Sequence, residues 1–344
     1  MEENKELKLA KQNKNLITKK HLSGLFFQKK NFRFDYTVIK IISSIILAIL
    51  YSIIKIYRMK KPRICLCTVG KKENLYVKEF VHYYKQLGYS HIYIYDNNDI
   101  DGEKFEDVLQ EELQSNFVSI INFRGKIGKQ CLVYEDCYEK NNKNYEWLSF
   151  FDFDEFLDIK PYANTIQEFL SNKRYKKCIT IKINFLFYSD NELLYYDNRT
   201  LQERFTTALP KHGNNFFIKT TVRGGLSPNY WSVTCGIHSS AYKCYSCNAN
   251  GEKVDYKTGG ILPKFKYARL KHYYTKSTEE YANKCKRGSA SSVVKWNEKR
   301  KKFKYNLYFV YNKRTKEKEE LLRKVLNMTN STNETNMTMT NKTL

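Results

Sequence analysis

The residues whose types and spacing could do chemistry stand together in Trp147-Leu-Ser-Phe-Phe-Asp152-Phe-Asp154-Glu155-Phe-Leu-Asp158. There a run of large apolar side chains opens onto carboxylates. The run reads as a buried strand that ends at a charged edge. Asp152 and Asp154 are two apart, so on extended backbone both side chains would leave on one face, with Phe151 and Phe153 turned to the core. Neighbouring carboxylates repel unless a cation lies between them. A hard divalent ion with oxygen ligands, Mg²⁺ or Mn²⁺, meets that need and keeps open positions for phosphate oxygens. A solvated strand end would account equally well for an isolated acidic triplet. Two features weigh against it: the chain has 60 Lys and Arg to 36 Asp and Glu, and the motif follows alternating strand and helix patterns.

Those patterns are the elements that must position the carboxylates. Arg63 to Val69 reads as a strand, Gly70 to Asn74 as its turn, and Leu75 to Leu87 as a helix stopped by Gly88. His91 to Asp96 is a second strand, Phe105 to Leu113 a second helix, and Phe117 to Ile121 a third strand. Gln130 to Lys140 is a third helix, leading into the strand that carries Asp152. Repeated strand–helix units argue for an α/β fold with a mostly parallel central sheet and helices on both faces. Val69-Gly70-Lys71-Lys72 is neither a Walker loop nor a dinucleotide fingerprint. A bound nucleotide would therefore depend on a metal at the aspartates for its phosphates.

The ends of the chain differ in character. Residues 1–37 are a polar basic tail with nine Lys and Arg. Val38 to Tyr57 is an apolar run of 20 residues, which as a helix is roughly 30 Å long, enough for one membrane crossing with Lys40 and Lys55 snorkelling. Its late start and the lack of a small-residue cleavage site speak against a cleaved signal. The basic flank places the N-terminus in the cytoplasm. The expected organisation is tail 1–37, anchor 38–57, stem 58–62, domain 63–325 and an Asn/Thr-rich tail 326–344 carrying sequons at Asn327, Asn330, Asn333, Asn336 and Asn341. The membrane would be Golgi or secretory in a eukaryote and the inner membrane in a bacterium. The net charge of +24 is spread along the chain with no zinc-finger or RNA-binding motif, so no nucleic-acid partner is expected. Nine cysteines leave pairing open: a disulfide among Cys235, Cys244 and Cys247 and free thiols fit equally.

Read in order, Glu79-Phe-Val-His82-Tyr, Ile92-Tyr-Ile-Tyr-Asp96-Asn97, Gln130 with Tyr134-Glu-Asp136-Cys137, and Asp152-Phe-Asp154-Glu155-Phe resemble glycosyltransferase family 92 and its relatives in the larger family 2 group. Phe185 to Asp190, Leu201 to Phe205, Lys219, His238 and Lys271-His272 through Lys284 resemble the family's later parts, so the likeness covers roughly Arg63 to Gly288. Tyr188-Ser189-Asp190 stands where the family has a Gly-rich form. The resemblance implies a GT-A domain, a nucleotide-diphosphate sugar donor, a glycan or other hydroxyl acceptor, and Mn²⁺ or Mg²⁺.

Roles follow as expectations. Asp152 and Asp154 hold the metal directly or through water, with His272 or His238 as a further ligand and Lys276 on the diphosphate. Thr68, Glu73, Asp96, Lys129, Gln130 and Glu155 line the donor site, Asp96 having turn capping as its plainer role. Asp190 is the candidate general base. Two other classes stay open: a catalytically silent binding relative, and a metal-dependent phosphoryl-transfer or nuclease enzyme.

Overall fold

The computed structural model describes residues 40–50, 62–126, 130–226, 245–288 and 296–328. They fall into two units, one within residues 1–60 and one from Lys61 onward. In the first, residues 40–50 form a helix whose Ile41, Ile42, Ile45, Ile46, Leu47, Ile49 and Leu50 are all exposed. Among the described residues no helix is long and apolar enough to cross a membrane, and the run 38–57 extends beyond them at both ends.

The second unit is built on one sheet. Its first half holds β1 (Ile64–Gly70), β2 (His91–Asp96), β3 (Val118–Asn122) and β4 (Trp147–Phe150), in spatial order β3-β2-β1-β4 and all parallel. β1 sits between two neighbours and is buried along its whole length, which is why it reads as an unbroken apolar run. Three helices, α1 (Asn74–Gln86), α2 (Gln110–Gln114) and α3 (Gln130–Asn141), connect these strands. α1 buries Tyr76, Val77, Phe80, Val81 and Tyr84, and the chain leaves it at Gly88 with φ 95°. The helix expected over Phe105 to Leu113 is instead a 3₁₀ turn at Phe105–Asp107 followed by the short α2.

The second half departs from the expected parallel arrangement. It contains β5 (Glu155–Asp158), β6 (Thr180–Phe187), β7 (Ile218–Arg223), β8 (Ser246–Asn248), β9 (Lys253–Val254) and β10 (Arg269–His272). β7 is antiparallel to both β4 and β6, while β10 is parallel to β6 and antiparallel to β5. The sheet is therefore mixed. The short strands past β4 alternate too little to reveal their direction from sequence alone.

Between α4 (Ile166–Leu170) and the chain end, helices α5 (Leu201–Arg204), α6 (Thr278–Arg287), α7 (Glu298–Tyr311) and α8 (Lys316–Leu326) close the unit. The charged stretch from Arg300 to Lys324 reads as one solvated helix. It is in fact two helices, and they bury Tyr305, Tyr308, Tyr311, Leu322 and Leu326. Cys247 pairs with Cys178 across a 69-residue separation, not with Cys235 or Cys244, which lie outside the described residues. The partner was illegible because β8 lies beside β6 only in the folded sheet, with Ile181 opposite Cys247.

Candidate functional site

Parallel pairing sets the carboxyl ends of β1, β2 and β4 side by side, with Gly70 opposite Asp96 and Cys67 opposite Phe150. This is the edge at which open α/β sheets present ligands. β4 ends at Phe150, and the chain turns through Asp152 and Asp154 into β5. The turn is closed by Glu155 N donating to the Asp152 carbonyl at 3.0 Å and Asp152 N donating to Glu155 Oε2 at 2.9 Å. The backbone here is not extended, so the two aspartates do not share a face as expected. Phe151 and Phe153 are buried as expected.

Asp154 turns toward β10. Its backbone carbonyl accepts from Tyr273 N at 2.9 Å. Antiparallel register places His272 opposite Glu155, so the two side chains emerge on one face of the sheet. His272 Nε2 lies 3.7 Å from Asp154 Oδ1 and 3.9 Å from Glu155 Oε1. All three residues are buried, and their ligand atoms lie within 4.8 Å of one another. Glu155 Oε1 has no hydrogen-bond partner, an uncommon state for a buried carboxylate oxygen. Burial lowers the His272 pKa to about 4 against the pull of Asp154, leaving a neutral imidazole with a lone pair to give. Burial, with Asp152 and Asp154 alongside, raises the Glu155 carboxyl although Lys219 pulls it down. Burial would raise Asp154 too, but Lys284, His272 and Lys276 hold it well below the usual carboxylate range. Two carboxylates and a neutral imidazole around an unpartnered oxygen form a donor set that fits a divalent cation.

Asp152 has a different environment. Its Oδ1 accepts from Gln130 Nε2 and from Tyr134 Oη, each at 3.0 Å, and its Oδ2 lies 2.8 Å from Lys219 Nζ. Its side chain keeps 34% of its surface exposed, while the Lys219 side chain keeps 2%. Lys219 also lies 3.3 Å from Glu155 Oε2, and the two carboxylates keep its ammonium charged despite burial. Gln130 thus opens α3 as expected and orients Asp152. Lys129 and His238 lie outside the described residues.

A second group of charges adjoins the triad. Lys284, on α6, binds Asp154 Oδ2 at 2.5 Å. Glu73, at the exit of β1, is held by Arg287 and lies 3.5 Å from Lys276 Nζ. Lys276 sits over the Tyr76 ring at 3.4 Å, is 3% exposed, and has φ 53°. A left-handed lysine is a strained choice that packed surroundings must hold in place. Here the holder is a buried network: Arg204 makes two bonds to Glu280, at 2.7 and 3.0 Å, and Tyr76 Oη donates to Glu280 at 2.7 Å. Ser277 and Glu280 form the capping box of α6. Thr68 is fully buried with Oγ1 unpartnered at the same sheet edge. Asp96 accepts from Asn98 N at 2.9 Å and faces Arg124 at 3.7 Å, so it caps its turn.

Asp190 has neighbours that do not suit a base. Its Oδ1 accepts from Glu192 N, and its Oδ2 binds Tyr308 Oη and Lys318 Nζ, each at 2.5 Å. The carboxylate is 2% exposed and fully partnered, and it ties β6's exit to α7 and α8. It reads as catalytic only while those helices are taken for solvated ones. Lys219 and Lys284, named for the family resemblance but given no role, and Arg287, not singled out at all, are the cations that meet the carboxylates of the site, each from far along the chain.

The family profile Glycosyltransferase family 92 matches residues 60–213. A glycosyltransferase family 92 protein of Oryza sativa subsp. japonica is 30% identical over 118 residues, covering 34% of this chain and 20% of that one. One from Ricinus communis is 27% identical over 117 residues, covering 34% and 21%. The chain thus spans about a fifth of the length of these curated relatives. Among solved structures, S. aureus TarS 1-349 in complex with UDP-GlcNAc overlaps with TM-score 0.38 and 11% identity, covering 77% of this chain and 72% of that one. The mannosyltransferase PcManGT from Pyrobaculum calidifontis, in complex with GDP-Man and Mn²⁺, overlaps with TM-score 0.29 and 7% identity over 37% and 36%. Such loose overlaps carry no weight here. The family resemblance read from the motifs is borne out over residues 60–213, the stretch that the family 92 profile matches.

Proposed function

We propose that residues 63–325 are a metal-dependent glycosyltransferase that moves a sugar from a nucleotide diphosphate to a hydroxyl acceptor. The observation that carries this is the buried triad Asp154, Glu155 and His272, with its unpartnered Glu155 oxygen, at the carboxyl edge of the sheet in a chain whose residues 60–213 match the family 92 profile. Asp154, Glu155 and His272 would hold Mn²⁺ or Mg²⁺. Such an ion neutralises the charge that builds on a leaving diphosphate, worth several kcal/mol. Asp152, partly exposed and fixed by Gln130, Tyr134 and Lys219, would face the donor. Lys276 supplies a desolvated ammonium near the same edge. Thr68 and Glu73 line the β1 side of the donor site, Glu73 by holding Arg287 in place. The general base is left unassigned, since Asp190 is fully partnered elsewhere.

A membrane anchor over residues 38–57 belongs to the same proposal. Seven exposed Ile and Leu side chains on residues 40–50 support it, as water is a poor neighbour for them. The N-terminus would be cytoplasmic and the domain on the far side, where the Cys178–Cys247 disulfide would persist.

The test is release of nucleotide diphosphate from a panel of UDP- and GDP-sugars with Mn²⁺. Wild type should turn over at least one donor, and Asp154→Asn should lower kcat by at least about 100-fold with an unchanged circular dichroism spectrum. Equal turnover by Asp154→Asn would remove the triad from the mechanism.

A further inference from the structure

Asp154, a member of the triad, already has a cation against it. Lys284 Nζ lies 2.5 Å from its Oδ2, and the same ammonium donates to the Tyr274 carbonyl at 3.1 Å and rests 4.5 Å from the Tyr274 ring centroid. The lysine side chain keeps 24% of its surface exposed, against 6% for Asp154. Its helix is firmly set by the Ser277–Glu280 capping box and by Arg204 on Glu280. One turn further on, Arg287 binds Glu73 and the carbonyls of Lys71 and Lys72. α6 thus presents Lys284 and Arg287 on one face toward carboxylates at the β1 and β4 exits, spaced i, i+3.

We propose that Lys284 is the resident counter-ion of Asp154: it competes with the metal for that carboxylate and, once displaced, meets the diphosphate that arrives with the metal. This rests on the reading that Asp154 is a metal ligand. The triad faces Asp154 through Oδ1, 3.7 Å from His272 Nε2, while Lys284 holds Oδ2 of the same carboxylate, so a divalent ion taken up by the triad comes close to the ammonium and repels it. The Tyr274 carbonyl and ring give the displaced ammonium a place to stay within the site. The metal alone is therefore held weakly, because it must expel a charge-assisted hydrogen bond and gains no partner for the freed ammonium. Metal with nucleoside diphosphate is held well, because the diphosphate supplies that partner. Lys284 acts here as a positioning residue that makes metal and donor bind together.

The experiment titrates Mn²⁺ into full-length protein, followed by the loss of the free Mn²⁺ electron paramagnetic resonance signal, without nucleotide and then with UDP or GDP. Lys284→Gln removes the charge but keeps a donor for the Tyr274 carbonyl, and Lys284→Met keeps the stem over the ring as a parallel variant should the first fold poorly. The expected result is bare Mn²⁺ binding about tenfold tighter in either variant, and nucleotide binding in the presence of Mn²⁺ about tenfold weaker. Lys284→Arg, which keeps the charge, should bind bare Mn²⁺ within about threefold of wild type. Bare Mn²⁺ binding that is unchanged or weaker in Lys284→Gln and Lys284→Met overturns the competition. Tighter bare Mn²⁺ with undiminished nucleotide binding overturns the transfer to the diphosphate. Binding of Mn²⁺ by none of the proteins, with or without nucleotide, overturns the metal reading itself and this inference with it.

Discussion

At the residue scale the site is a matter of charges that must be balanced out of water. Asp152, Asp154 and Glu155 lie within one turn, and Lys219 is buried between two of them. A buried ion pair adds little over an apolar replacement of both partners, but deleting one partner strands the other. Lys219→Met should therefore cost about 3–5 kcal/mol in a urea melt, because Asp152 and Glu155 lose their common cation. A loss below about 1 kcal/mol would mean that water, and not the lysine, balances them. The acidic motif was legible from its apolar approach and its carboxylates. Which carboxylate does what was not. Glu155, and not Asp152, lies with Asp154 and His272 because the backbone turns after Phe150 and does not run on as a strand.

At the element scale, α6 and the pair α7 and α8 decide what the sheet edge can do. α6 carries Lys284 and Arg287 to the carboxylates. α7 and α8 reach the sheet through Asp190, where Tyr308 and Lys318 converge on one oxygen and Asn312 accepts from Asp190 N. Asp190→Asn should lower the melting temperature by about 5–10 °C, from roughly 2–3 kcal/mol of lost charged bonding, while leaving kcat for donor turnover within about threefold. A collapse of kcat with an intact melt would restore Asp190 to the chemistry. Helical periodicity located α1 and α3 within a residue or so, since each buries one regular face. It failed over Phe105 to Leu113, where only Phe105 and Leu109 are buried and too little apolar surface sets a period.

At the scale of the whole molecule, the Cys178–Cys247 disulfide joins the approach to β6 with β8, beside the main-chain bond from Ile179 N to the Tyr245 carbonyl at 2.8 Å. A cross-link closing so long a loop removes many unfolded conformations. Cys178→Ser should cost about 2–5 kcal/mol, seen as a melting temperature lower by about 5–15 °C, and a reductant should do the same to wild type but not to the variant. A reductant that leaves wild type unmoved would show that the bridge contributes nothing to stability.

Local pattern by itself determined the alternation of strands and helices through β4, the burial of Phe151 and Phe153, and the place of the acidic turn. These follow from periodicity and from the cost of leaving apolar runs in water. Only the tertiary structure decided that Glu155 faces His272 across antiparallel strands and that Lys284 reaches Asp154 from 130 residues away. It also decided that Cys178 is the partner of Cys247. The physical reason is common to all three. Charge pairing, ligation and cross-linking depend on distance through space, which separation along a chain does not encode until the sheet has set its strand order and register.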